Sequence, residues 1–188
     1  MLPVKNGRIS QEYGRKNSQY RKGYHPGIDV VADGADKSIY AVSPGVVIRA
    51  RFSPGSKGAD PTGWGNYVIV RQVDGHDVLY AHLAQVAVTA GQLVVAGDKL
   101  GIQGATGSAT GPHLHFEVWD GDWTKRNDIN PAEYLGIANQ VGPVSLKDPF
   151  EEDRQWAVEN GISDGSDPNR AVLRKEVWAM LRRMKEGR

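Results

Sequence analysis

The sequence predicts a mainly β protein, an antiparallel domain followed by a small α-helical module, and three observations carry that prediction. Between Ile39 and Val118 the apolar residues come in short β-branched runs bounded by turn residues, the pattern of strands rather than helices. The turns between them are tight, which suits antiparallel neighbours, because parallel strands need long crossovers. After Tyr134 the pattern changes, and further on apolar residues recur at helical spacing.

The expected strands, in chain order, centre on Val46 to Ile48, Tyr67 to Val70, Val78 to Tyr80, Leu93 to Val95 and Leu114 to Val118. Ser43-Pro44-Gly45, Val73-Asp74-Gly75, Ala90-Gly91 and Ala96-Gly97-Asp98 supply the turns between them. Residues 52 to 65, rich in Gly and Pro before Trp64, read as a surface loop that walls a groove. Gly101, Gly104, Gly107 and Gly111 stud what reads as a loop leading into His113, where bare backbone lets another chain come close.

The first domain is expected over residues 1–135, a linker over 136–149 and a helical module over 150–188. Within the module, residues 151–160 are helical in pattern and stop at Gly161, while residues 174–185 place Val177, Leu181 and Met184 on one face. Two short helices bury little by themselves, so they must pack on the first domain, on a copy of themselves or on a partner.

Composition excludes several functions. The net charge is +1, so nothing global points to nucleic acid or a membrane surface. No stretch approaches the roughly 20 apolar residues of a membrane span, and Met1 to Ser10 lacks the apolar core of a signal peptide. With no cysteine in the chain, disulfides and thiolate metal ligands are out, which leaves His and carboxylates as the metal-binding chemistry.

The histidines point to a site. His113-Leu114-His115 on a strand sets two imidazoles on one face while Leu114 and Phe116 enter the core behind them. Upstream, His25-Pro26-Gly27-Ile28-Asp29 offers another imidazole and a carboxylate, so that two His and one Asp could hold a zinc ion and leave its fourth tetrahedral position open. His82 closes another strand-like run, and only His76, in a polar turn, lacks an evident role among the five histidines.

His25-x-x-x-Asp29, Gly65-Asn66-Tyr67-Val68, Leu79-Tyr80-Ala81-His82-Leu83 and the run from Gly104 to Glu117 resemble the LytM/lysostaphin-type zinc metallopeptidases of the M23 family over residues 20 to 135. The resemblance implies a β-sheet groove, the duplicated hybrid motif. It implies His25, Asp29 and His115 as zinc ligands, His82 and His113 as catalytic non-ligands, and the peptide part of bacterial peptidoglycan as substrate. Which of His82 and His113 is the base stays open. Residues 31–38 are more polar than is usual in the family, a difference that touches no motif residue.

Less of the tail matches a known pattern. Trp156-Ala157, Gly161-Ile162-Ser163-Asp164-Gly165, Pro168 and Arg174-Lys175-Glu176 are similar to a single S-layer-homology repeat, with Leu173 where that pattern has Thr. This implies binding to a secondary cell-wall polymer, with Arg170, Arg174 and Lys175 as cations for an anionic glycan; the rival is homo-oligomerisation through the same helices.

A catalytic β-domain followed by a small binding module resembles a phage-type endolysin. Such a protein stays in the host cytoplasm until it is released to the wall; otherwise an extracellular or wall location is expected. Two rivals remain on this sequence. One is a binding module on the same fold without chemistry, which retention of all five polar positions argues against. The other is a carrier-type β-sandwich, suggested by Gly97-Asp98-Lys99-Leu100-Gly101, which has no use for the histidines.

Overall fold

The computed structural model describes residues 1–18, 20–51 and 63–143; the helical module, the end of the linker and most of the 52–65 loop lie outside the described residues. The chain divides into two compact units, Met1–Leu146 and Lys147–Arg188, and all that follows concerns the first. Its strands among the described residues are β1 (Gly7–Gln11), β2 (Ile28–Ala32), β3 (Ser38–Tyr40), β4 (Gly45–Arg51), β5 (Tyr67–Gln72), β6 (Asp77–Ala81), β7 (Leu83–Val86), β8 (Leu93–Val94), β9 (Lys99–Gln103), β10 (Leu114–Trp119), β11 (Asp128–Ile129) and β12 (Gly142–Pro143), with a short α-helix, α1 (Pro131–Leu135), and a single 3-10 turn over Trp123–Lys125.

The strands form two antiparallel sheets. The larger runs β12-β1-β2-β10-β6-β5-β4-β8, with β11 also on β10, and the smaller is β3-β9-β7. The fold is therefore the antiparallel β architecture that the sequence predicts. Strand alternation sets its layers: Leu114, Phe116 and Val118 of β10, Ile28 and Val30 of β2, and Val78 and Tyr80 of β6 all enter one apolar cluster. Ile39, Leu83 and Leu100 from the smaller sheet share that cluster, so the two sheets bury each other. Each such aliphatic or Phe side chain, fully buried, contributes about 1.5–3 kcal/mol. The opposite faces of β5, β6 and β10 carry a second cluster of Trp64, Tyr67, Ile69, Leu79, Ala81 and Trp119. The centre of the large sheet is thus covered on both sides, and both β6 and β10 are buried along their whole length.

Two features depart from the expectations. Gly101 lies inside strand β9 rather than in a loop, pairing with Ile39 on one side and Val86 on the other. A Cβ at Gly101 would sit 2.4 Å from the Gln85 carbonyl oxygen, so the glycine permits a close strand approach and carries no turn. The glycine loop that approaches His113 begins later, where the His113 N–H bonds the Gly104 carbonyl at 3.0 Å.

Residues 136–143, the first part of the expected linker, pack on the domain. Helix α1 starts at the Asn130 cap with Pro131 behind it and stops at Gly136, in the left-handed region at φ 69°. Beyond it Ile137 is buried, the Asn139 side chain bonds both backbone groups of Tyr13, and Gly142–Pro143 pair with β1. Pairing at this edge shields what would otherwise be an exposed strand.

Candidate metal centre and catalytic cleft

Register brings the predicted residues together. In the β10–β2 ladder His115 stands directly opposite Asp29, and in the β10–β6 ladder the same His115 stands opposite Ala81, the residue before His82. Because side chains alternate, His113, His115, Glu117 and Trp119 leave the apolar cluster and line a cleft of about 850 Å³, with Asp29 and His82 also in its wall. His25 arrives on the turn just before β2, which crosses close over β10. A Cβ at Gly27 would lie 2.5 Å from the Phe116 carbonyl oxygen and 3.1 Å from the His115 ring, so only glycine lets that turn carry His25 to the cleft.

Three donor atoms converge there. His25 Nε2, Asp29 Oδ1 and His115 Nδ1 are separated by 3.1, 2.8 and 3.1 Å. The other nitrogen of each ring is already committed. His25 Nδ1 donates to the Glu12 carbonyl at 3.0 Å, and His115 Nε2 donates to Glu117 Oε1 at 2.8 Å. In the neutral rings these bonds make His25 Nδ1 and His115 Nε2 the donors, so His25 Nε2 and His115 Nδ1 turn to the Asp29 carboxylate, where they hold either a metal ion or, in its place, a proton shared with that carboxylate.

Three lone pairs at such distances repel unless a cation sits among them. The local field shows the demand for positive charge. Burial by itself lowers the His115 pKa, yet hydrogen bonds to Asp29 and Glu117 overcome it and raise it to about 10. Burial likewise works to raise that of Asp29, but hydrogen bonds from His115 and His25 hold its carboxyl well below the usual range. A tetrahedral site with ligand bonds of about 2.0–2.1 Å has ligand-to-ligand edges of about 3.3 Å, close to the spacing seen. Donor type, lone-pair direction and spacing therefore fit one divalent ion such as zinc. Among the described residues, His25, Asp29 and His115 are the group of His and acidic side chains arranged to hold a metal.

His82 and His113 stand beside this triangle with their rings 4.8 Å apart. His82 follows β6 in the left-handed region at φ 63°, a conformation that costs a non-glycine residue energy and recurs at functional sites. It is held by its N–H to the Trp64 carbonyl at 2.9 Å and by its Nδ1 to the Thr106 carbonyl at 2.9 Å. His113 Nδ1 lies 2.8 Å from the Gly111 carbonyl, and its Nε2 lies 3.7 Å from Asp29 Oδ1. Since a carbonyl only accepts, Nδ1 carries the proton in both rings and each Nε2 is free to take one. Burial, reinforced by His115 and His113, lowers the His82 pKa to about 4, which keeps it an unprotonated acceptor near neutrality.

All five residues singled out by the sequence meet in one place. His76 does not join them: its ring lies against Tyr134, 5.2 Å between centroids, with its backbone N–H on Asp74. Sequence reasoning did not assign the groups that hold the rings. Glu117 had a signal, since it follows His115 by two residues and so shares its face. The carbonyls of Glu12, Thr106 and Gly111 had none, because backbone acceptors have no residue identity.

Comparison with known proteins agrees with this geometry. The profile described as Peptidase family M23 matches residues 23–131. The peptidoglycan DD-endopeptidase ShyB of Vibrio cholerae is 40% identical over 80 residues, 43% of this chain and 17% of that protein. The catalytic domain of the antimicrobial peptidase lysostaphin from Staphylococcus simulans superposes with a TM-score of 0.59 at 28% identity, covering 68% of this chain and 91% of that domain. A zinc-containing peptidase from Vibrio cholerae gives a TM-score of 0.55 at 31% identity over 69% of this chain and 37% of its own. The chain spans only 17% to 29% of the length of the first curated relatives it matches. A match over more than half of the sequence, on a cleft with the donors a metallopeptidase needs, means that the chain belongs to peptidase family M23, a family of metallopeptidases.

Proposed function

We propose that this protein is a zinc-dependent endopeptidase that hydrolyses peptide bonds of bacterial peptidoglycan. The observation that carries the proposal is the His25, Asp29 and His115 triangle set beside two proton-accepting imidazoles in an open cleft. A zinc ion in that triangle would supply Lewis acidity, which activates water and polarises a carbonyl oxygen. The chain's own residues do the rest. His25 and His115 present lone pairs whose direction is fixed by the Glu12 carbonyl and the Glu117 carboxylate. Of the pair His82 and His113, one Nε2 takes a proton from the attacking water, and either ring, once protonated, donates to developing negative charge or to the departing amine. Their Nδ1 bonds to carbonyls keep both rings aimed during that exchange.

The test is digestion of purified peptidoglycan with the metal-loaded protein, followed by mass spectrometry of the released fragments. New amino and carboxyl termini without new reducing sugar ends are expected; new sugar ends alone overturn the proposal.

The finer reading is a phage-type endolysin that lyses the cell, acting from the host cytoplasm once released to the wall. It is supported by the order of a catalytic domain and a tail resembling an S-layer-homology repeat, and by likeness to an antimicrobial peptidase. The tail is proposed to attach the enzyme to a secondary cell-wall polymer, with self-association as the rival. Removing residues 147–188 is expected to leave cleavage of soluble wall peptides within about threefold while weakening sedimentation with intact walls. Unchanged wall sedimentation together with an unchanged number of subunits by sizing column sinks both readings of the tail.

A further inference from the structure

The cleft has a cationic end that catalysis does not use. Arg126 lies at the end of a short turn, residues 123–125, in the left-handed region at φ 55°. Its backbone is fastened on both sides, the N–H to the Trp123 carbonyl at 3.2 Å and its own carbonyl by Lys22 Nζ at 2.6 Å. From there its guanidinium lies over three indoles, 4.4 Å from the Trp64 ring centroid and 5.7 Å from those of Trp119 and Trp123. That position is one residue from the reaction: the Trp64 carbonyl is the acceptor that holds the His82 backbone.

The charges around it do not balance. Lys22 is spent on an ion pair with Asp128, whereas among the described residues Arg126 and Arg21 have no ion-pair partner, although both line the cleft. The acids in the same wall are Asp29 and Glu117; Asp29 is engaged by His25 and His115, and Glu117 by His115 Nε2. Burial lowers the Arg126 pKa, with Glu117 opposing that shift and Arg21 adding to it, and no ion pair forms with any described acid. A guanidinium stacked on aromatic rings keeps its in-plane N–H donors free, and these match a carboxylate as a two-bond fork.

We infer that Arg126, with Arg21 beside it, is a carboxylate-recognition site in the cleft, selecting peptides that bear a free carboxylate within a residue or two of the scissile bond over neutral chains such as glycine bridges. The inference rests on the peptidase reading above, and it fixes the substrate class which that reading leaves open. An acidic peptide gains a charge-assisted fork in a partly dehydrated site, and a neutral one leaves two cations unpaired.

Two peptides identical except for carboxylate against carboxamide at that position decide it. Their kcat/KM values are compared for the zinc-loaded full chain and for Arg126→Gln, Arg126→Lys and Arg21→Gln, and their binding is measured by calorimetry on full-length His113→Ala. The acid is expected to be preferred at least ~10-fold in both rate and binding. Arg126→Gln brings acid and amide within about twofold of each other, Arg126→Lys keeps part of the preference, and Arg21→Gln weakens it less than Arg126→Gln does. Because the readout is a ratio, a general loss of active protein does not imitate the result. Equal handling of the two peptides by the unmodified cleft, or a preference that survives Arg126→Gln, overturns the inference. Peptides cut without preference leave the peptidase reading standing and this one fallen. Peptides bound with an Arg126-dependent preference but never cut do the reverse.

Discussion

Replacing Asp29 or His115 by alanine is expected to empty the metal centre and abolish hydrolysis. Each supplies one corner of a three-donor triangle with edges of 2.8 to 3.1 Å, so its loss leaves two protein donors where three converged. Zinc held by four protein ligands is bound by about 10–16 kcal/mol, so one ligand is worth several kcal/mol, at least ~1,000-fold in affinity. About one zinc per chain is expected in the unaltered protein, with activity lost in chelator and restored by zinc. Glu117→Ala should fall between, lowering affinity about 10- to 100-fold, because it leaves the ligand in place but frees the ring that Glu117 aims. Metal content by elemental analysis and chelator competition measure the series. Full activity in a demonstrably metal-free preparation would end the proposed chemistry, and undiminished zinc in Asp29→Ala would show that the triangle is not the site.

His82→Ala and His113→Ala are expected to keep the zinc while kcat falls by at least ~100-fold. Neither ring offers a donor atom to the triangle, and both direct a free Nε2 toward the cleft. Groups of this kind act on the transition state, through proton transfer and hydrogen bonds to developing charge, which together contribute factors of about 10² to 10⁴. KM should change much less than kcat. His82→Ala also places a residue less tolerant of φ 63° there, so a fall in thermal stability in His82→Ala that His82→Asn does not share reports backbone strain apart from lost chemistry. Loss of zinc in either variant would mean that ligand and catalyst have been exchanged.

The mainly β class was legible because β4, β5, β6 and β10, built on β-branched and aromatic residues between turn signals, declare themselves locally. Strands β1, β2, β7 and β9 do not. Ser10, Asp29, Gln85 and Gly101 interrupt them in turn, and their pairing is decided by neighbours across the sheet. The packed segment 136–143 was hidden for a similar reason. Gly136, Gly142 and Pro143 look like linker residues, and only contact with β1 and Tyr13 gives them structure.

The five candidate residues could be nominated because metal ligation and proton transfer demand particular side chains, and a chain with five histidines and no cysteine has few ways to supply them. By itself, then, the sequence determined the fold class and nominated His25, Asp29, His82, His113 and His115 as the candidate site residues. The tertiary structure alone decided which atoms face one another. Asp29 meets His115 because β2 and β10 pair in a register that sets them opposite. The tautomers of the neutral rings follow from a carboxylate and three backbone carbonyls, and that Arg126 has no ion-pair partner among the described residues is apparent only once Lys22 is found on Asp128. The reason is physical. Side-chain chemistry is a property of each residue, whereas distance, proton position and charge balance belong to pairs that only the folded chain brings together.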